Sequence, residues 1–188
     1  MEDHGTPAAP PQGAPGEVDV VGEARWPMAG AVLAAIALTL LLPDDLRLGP
    51  SWVLPVLEGV LLVTLIVGDP GAISRRSREL RAVGITLVAV LGLSAMVATG
   101  LLIDSLITGG PETESAGDLL EAGAVVWTSN IIAFALLYWE LDGGGAAARA
   151  HDPLDHPDFA FPQQLNPHIS SPGWRPRFVD YLYLGFTN

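Results

Sequence analysis

The chain reads AVGITLVAVLGLSAMVATGLLI from Ala82 to Ile103, without a single charged side chain. A helix that crosses the hydrocarbon core of a bilayer needs about 20 predominantly apolar residues, and this stretch is long enough. Three further apolar runs lie at 27–43, 51–68 and 119–141. Four such runs leave too little polar sequence to cover them as the core of a soluble protein. The sequence therefore predicts an all-α, polytopic membrane protein with four transmembrane helices in residues 26–141.

The composition excludes several classes of function. Only 16% of the 188 residues are charged, against about 25% in a typical soluble domain. The net charge is −12 and all nine cations are arginines, so no broad basic face is available to bind nucleic acid. The chain has no cysteine, which excludes disulfides and thiolate metal sites. We predict the lipid bilayer as the main partner and leave a homo-oligomer open.

Arginine placement predicts the orientation. Arg75, Arg76, Arg78 and Arg81 lie between the second and third apolar runs. Short arginine-rich loops stay in the cytoplasm, so we expect the N-terminus and the segment after the fourth run to lie there too, at a bacterial inner (plasma) membrane. The same arginines are expected to contact lipid headgroups. A dedicated site for anionic lipid is the alternative interpretation.

The segments outside the apolar runs are rich in proline and glycine. Residues 1–25 are acidic and predict a disordered tail, since they have little apolar surface to bury. Residues 142–176 predict an irregular cytoplasmic segment. Within it, His151 and His156 lie among carboxylates, but their spacing fits no known metal motif. We therefore expect a solvated acidic loop there and predict neither a metal nor a cofactor.

One carboxylate interrupts the apolar runs, and an ionisable group inside a membrane helix is a functional hypothesis by default. Glu58 is expected in the outer half of the bilayer, at a depth similar to Ser94, Thr99, Thr128 and Asn130. One hypothesis is an ion or proton path with Glu58 as the titrating group and Asn130 or Thr128 as its partner. The alternative is a protonated Glu58 that only donates a hydrogen bond between helices.

No arrangement typical of an enzyme is present: the sequence has no phosphate-binding loop, zinc-protease motif or nucleophile elbow. We therefore predict that the chain is not an enzyme. Two functions remain as hypotheses. One is a small transporter or channel-like protein that uses the layer around Glu58. The other is a non-catalytic membrane scaffold that binds partners through its Pro-rich cytoplasmic segment.

Three phrases near the C-terminus resemble an uncharacterised family of multi-pass membrane proteins from high-GC bacteria. They are WELDGGG at 139–145, PDFAFPQ at 157–163 and FVDYLYLGFTN at 178–188. In that family the last phrase continues into a further hydrophobic helix, so the resemblance implies that this chain is truncated before its last helix. Residues 177–188 are accordingly expected to begin an interfacial or re-entrant helix. The family carries no established activity to transfer.

The spacing of Asp180, Leu182, Tyr183 and Phe186 is also similar to the pore helix of two-helix potassium channels, written D-x-L-Y-x-S-F. Gly185 stands where that pattern has serine, and the selectivity filter that should follow is not in this sequence. A pore loop of such a channel enters from outside, whereas the arginines place these residues inside. The resemblance implies a channel-like ancestry at most.

Overall fold

A computed structural model describes residues 22–47, 49–73, 77–151, 158–169, 171 and 174–187. The predicted all-α fold is confirmed, since almost all regular structure in these ranges is helical. The α-helices are α1 (Trp26–Leu41), α2 (Val53–Gly68), α3 (Arg78–Thr108), α4 (Ala116–Leu141), α5 (Ala146–His151), α6 (Pro162–Leu165) and α7 (Phe178–Thr187). Two short strands, β1 (Glu23–Ala24) and β2 (Ala72–Ile73), pair antiparallel.

All four apolar runs form helices, but the helices differ in length. In the described chain, α3 and α4 are long and apolar enough to cross a membrane. Helices α1 and α2 have 16 residues each, or about 24 Å at about 1.5 Å per residue, which is less than the roughly 30 Å of a hydrocarbon core. Length and composition thus identify two membrane-spanning candidates rather than four.

Capping explains why α3 is longer than its apolar run. The Ser77 side chain accepts a hydrogen bond from the Leu80 backbone N–H, so the helix begins among charged residues before Ala82. It ends at Gly109, whose φ of 80° is left-handed and is readily adopted only by glycine. Local backbone chemistry therefore sets both ends.

Helices α1 to α4 form a closed bundle. Each packs against the next in sequence, and α1 also packs against α4. Val32, Leu87 and Leu136 are almost completely buried in the shared core. Outside the bundle, α7 packs on α4.

The prediction of a disordered tail at 1–25 is wrong for its last residues. Glu23 pairs with Ile73 in the small ladder, and Arg25 is buried. Both charged side chains find partners inside the fold, which holds this segment in place; residues 1–21 lie outside the described residues. The ladder brings the N-terminal segment to the start of α3. We call this end of the bundle, marked by Arg25, Arg78 and Arg81, the arginine end.

The segment predicted to be irregular at 142–176 is partly helical. A 3-10 turn at Asp142–Gly144 leads into α5, and α6 follows later. Phe159, Phe161 and Trp174 pack against the main apolar core. The described part of this segment therefore folds onto the bundle because its aromatic side chains bury there; 152–157, 170 and 172–173 lie outside the described residues.

Helix α7 confirms the predicted helix at the C-terminal phrase and shows where it lies. Phe178 meets the ring of Trp139, with centroids 6.1 Å apart, and Phe186 meets Trp127 at 5.6 Å. Because the order of contacts is reversed along the two helices, α7 runs antiparallel to α4. It follows α4 from the arginine end toward the middle of that helix; whether this helix is interfacial or re-entrant in a membrane stays a prediction.

Candidate functional site

The structure brings together two of the five residues of the predicted polar layer. The Asn130 Nδ2 donates a hydrogen bond of 2.8 Å to the Thr99 hydroxyl and another of 3.0 Å to the Val126 carbonyl. Asn130 is therefore already engaged between α3 and α4. The Ser94 hydroxyl donates to its own helix and lines a small cavity of about 40 Å³.

Glu58 is separate from that pair. Its side chain is completely buried, and neither carboxyl oxygen has a hydrogen-bond partner among the described residues. The predicted partnership with Asn130 or Thr128 does not form, because Asn130 bonds Thr99 and the Thr128 hydroxyl donates to the Ala124 carbonyl. A similar depth in the bilayer did not place these groups on facing sides of their helices.

A much larger cavity, of about 470 Å³, lies at the arginine end. Helices α1 to α4 supply an apolar wall, and the first residues of α5 lie at its edge. Three arginines and two carboxylates stand at its mouth. The wall is formed mainly by Met28, Val32, Leu65, Leu87, Val88 and Leu136, and the mouth carries Arg25, Asp69, Arg78, Arg81 and Glu140.

The Arg25 guanidinium forms the fixed part of the mouth. Its Nε donates to the Asp69 carbonyl at 2.9 Å, and an Nη atom lies 3.3 Å from the Asp69 carboxylate. Burial lowers the pKa of Arg25, while the charge of Asp69 acts in the opposite direction. The pair joins the start of α1 to the C-terminal end of α2, where a cation also suits the helix dipole.

Arg81 reaches across the mouth from α3 and donates a hydrogen bond to the Gly144 carbonyl. Gly144 has a φ of 77°, and a Cβ there would lie 3.0 Å from an Nη atom of Arg81. Glycine is therefore required both by the backbone conformation and by the close approach of the guanidinium. This contact gives the triple glycine a structural role beside the cavity.

Glu140 directs its carboxylate into a notch between two glycines. A Cβ built on Gly84 would lie 3.3 Å from this carboxylate, and one on Gly145 would lie 3.5 Å from it. Glu140 accepts no hydrogen bond from the described residues, although Arg81 and Arg149 attract it through space. It is the acceptor of the cavity that the described residues leave available.

Beside the cavity, Asp142 forms a buried polar node. Its carboxylate accepts hydrogen bonds from the Tyr181 hydroxyl and from the backbone N–H groups of Asp158, at 3.1 Å, and Phe159, at 3.3 Å. Burial and the neighbouring Asp142 raise the pKa of Tyr181, so the phenol stays neutral and acts as the donor. The three C-terminal sequence phrases meet at this node.

Arg149 completes the node from α5. It donates to the carbonyls of Trp139, at 2.8 Å, and Asp142, at 2.5 Å, and so caps the C-terminus of α4. Its guanidinium also stacks over the Tyr181 ring, 5.2 Å from the centroid. A cation at this position is favoured by the helix dipole and by the aromatic face.

Glu23 links the N-terminal strand to the same node. Its carboxylate accepts hydrogen bonds from the Trp139 indole at 2.8 Å and the Phe178 N–H at 2.5 Å, and lies 3.8 Å from Arg149. Burial raises the pKa of Glu23, while these donors and Arg149 act in the opposite direction. One side chain thus connects β1, α4, α5 and α7.

The remaining predicted residues have separate places. Arg78 and Arg81 line the cavity, whereas Arg75 and Arg76 lie outside the described residues. In α7 the Asp180 carboxylate accepts from the Arg177 N–H at 2.8 Å, a local cap. Of the other three residues of the pore-helix resemblance, Leu182 packs against the main core, whereas Tyr183 and Phe186 are 71% and 58% exposed.

Sequence reasoning missed Glu23, Arg25, Asp69, Glu140 and Arg149 as members of one site. No protein-family model, curated protein or solved structure matches the chain. The function is therefore inferred from the cavity itself, whose size and mixture of apolar wall and few polar groups are typical of small-molecule sites.

Proposed function

We propose that this chain is a four-helix integral membrane protein that binds an amphiphilic molecule in the cavity at its arginine end. In this proposal the arginine end faces the cytoplasm at a bacterial inner membrane. The observation that carries it is the cavity, which combines an apolar wall inside the bundle with charged groups at its mouth.

The outer surface of the bundle supports membrane insertion of α1 and α2. Large apolar side chains on both helices are more than half exposed, a surface that suits lipid better than water. Thinning of the bilayer accommodates helices shorter than its core. Arg78, Arg81 and the N-terminal strand lie at one end of the bundle, as cytoplasmic placement of the arginines and the N-terminus requires. The exposed side chains include Leu33, Leu40, Val56, Val60 and Val63.

The two parts of the cavity require different chemistry from one ligand. A small hydrophilic solute has no apolar group to pack against the wall around Val32 and Leu87. A purely apolar ligand would offer no polar partner to the Glu140 carboxylate or to the donors of Arg81 that Gly144 does not use, so this part of the cavity would contribute nothing to its binding. An amphiphile satisfies both parts at once.

Photo-crosslinking of the full chain in nanodiscs tests this proposal. Diazirine-bearing alkyl amphiphiles with anionic, zwitterionic and cationic headgroups would be compared by mapping the labelled residues. We expect saturable labelling near Val88, inside the cavity, and non-saturable labelling near Leu93, which is 61% exposed on the same helix. Val88→Trp should abolish the saturable part, whereas Leu93→Trp should not. Absence of saturable labelling with every headgroup would contradict the proposal.

A second candidate function is an ion or proton path through Glu58. The observation that favours it is a completely buried carboxyl group whose oxygens have no partner among the described residues. It predicts pH-dependent flux into liposomes that Glu58→Gln abolishes. Flux unchanged in that variant would remove the titrating role. Scaffold binding through the Pro-rich segment is less favoured, because Phe159 and Phe161 already pack on the bundle.

A further inference from the structure

We infer that the ligand of the arginine-end cavity is an anionic phospholipid, with its phosphate at Arg78 and Arg81 and an acyl chain along the apolar wall. This inference rests on the proposed function and adds the charge and class of the ligand. It follows from the charges at the mouth, the donors that remain available there, and the direction of α3.

The charges at the mouth favour an anion. Arg25 and Asp69 neutralise each other in a buried ion pair of 3.3 Å. Of the other charged residues in the lining, Arg78 and Arg81 are positive and Glu140 is negative. Arg149 also attracts Glu140, but it lies outside the cavity lining and its charge is offset by the Glu23 carboxylate 3.8 Å away. The charged groups that line the cavity, three arginines and two carboxylates, therefore carry one net positive charge, although the whole chain has a net charge of −12.

The arginines retain donors for a phosphate. Arg81 uses one Nη atom for the Gly144 carbonyl, and its other nitrogens have no acceptor within the described part of the chain. The contact with Gly144 also holds the guanidinium across the mouth. A planar guanidinium binds phosphate with two parallel hydrogen bonds. Arg78, one turn before Arg81, supplies a second guanidinium.

The start of α3 adds to this positive charge. Ser77 and Arg78 line the cavity, and the first N–H groups of a helix have no acceptor within it. They carry the positive end of a helix of 31 residues, a position that favours anions. Glu79 lies in the same turn and is exposed, as Arg78 is; its carboxylate accepts a hydrogen bond from the Ser77 hydroxyl and offsets part of this positive charge.

Glu140 selects among anionic lipids. A carboxylate beside a bound phosphate repels a second negative charge, but it accepts a hydrogen bond from a hydroxyl group. A phosphodiester whose headgroup carries hydroxyls supplies one negative charge and donors together. The favoured ligand class is therefore a phospholipid with a polyol headgroup, of which phosphatidylglycerol is the simplest probe.

The test uses the full chain in phosphatidylcholine nanodiscs, with saturable photo-labelling at the cavity as the readout. Added phosphatidylglycerol should compete with an anionic diazirine lipid, whereas added phosphatidylcholine and free glycerol phosphate should not. Arg81→Gln should weaken this competition about tenfold. The matched control is Arg175→Gln, which removes an exposed arginine outside the cavity. In this variant phosphatidylglycerol should compete as it does in the unchanged chain.

Each outcome separates the two proposals. Equal competition by phosphatidylcholine and phosphatidylglycerol would overturn the anionic class but leave the amphiphile site in place. Competition by free glycerol phosphate at the same concentration would overturn the lipid as its source. If Arg81→Gln does not fold, Arg78→Gln serves in its place, since that side chain is exposed. Unchanged competition in a folded Arg78 or Arg81 variant would also overturn the inference.

Discussion

The hydroxyl of Tyr181 donates a hydrogen bond to the carboxylate of Asp142 and so fastens α7 to the C-terminal end of α4. Both side chains are almost completely buried. Asp142 also accepts from the N–H groups of Asp158 and Phe159. The position of α7 is therefore determined by a polar contact inside the protein as well as by apolar packing.

Removing this donor should destabilise the fold. We expect Tyr181→Phe to lower the free energy of unfolding by about 1 to 3 kcal/mol, because it leaves a buried carboxylate with one donor fewer. Chemical unfolding in detergent micelles measures the change. The control is Tyr183→Phe, since Tyr183 is 71% exposed and should change stability by less than about 0.5 kcal/mol. Equal effects of the two variants would contradict the role given to Tyr181.

The contact between α7 and α4 depends on a glycine. A Cβ at Gly185 would lie 2.8 Å from the Ile131 carbonyl and 3.2 Å from the Ala135 backbone nitrogen. Gly185→Ala should therefore separate the two helices locally and make α7 more sensitive to limited proteolysis. Gly100→Ala on α3 meets nothing within 4 Å and should stabilise its helix by up to about 1 kcal/mol. If α7 is more resistant to proteolysis in Gly185→Ala than in the unchanged chain, the close packing of α7 on α4 is contradicted.

Glu23 should make stability depend on pH. Burial raises the pKa of Glu23 in the folded chain above its ordinary value of 4.5, so between the unfolded and folded values the native state binds more protons than the unfolded state. Its contribution is therefore greatest at low pH and is lost as the pH rises through the folded pKa. Unfolding of Glu23→Gln compared with the unchanged chain at several pH values measures this contribution. If the two proteins differ in free energy of unfolding by the same amount at every pH, Glu23 is not the source of the pH dependence.

The hydrogen bond between Asn130 and Thr99 should contribute little to the free energy of unfolding, and the coupling should be confined to this pair. Hydrogen bonds between membrane helices contribute about 0.6 kcal/mol on average. We expect Asn130→Ala and Thr99→Val to show a coupling energy of that order in a double-mutant cycle measured by unfolding. The pair Asn130→Ala and Thr128→Val should be additive, because Thr128 donates only to its own helix. Coupling to Thr128 instead of Thr99 would contradict the geometry.

The helices could be predicted from the sequence because their signals are local. The uncharged stretch from Ala82 to Ile103 lies inside α3, and only caps such as Ser77 extend the helix beyond it. The site could not be predicted, because Arg25, Asp69 and Glu140 belong to separate segments that meet only when the bundle closes. The partners of Glu58 could not be predicted either, since the expected depth in a membrane does not determine which neighbour a side chain faces.

Native mass spectrometry of the full chain, extracted from its membrane with retained lipid, tests most directly whether the arginine end binds a lipid. We expect the unchanged chain and Arg175→Gln to retain a bound anionic phospholipid and Arg81→Gln to lose it. Identical lipid adducts in all three proteins, or no adduct in any of them, would contradict a lipid site at the arginine end.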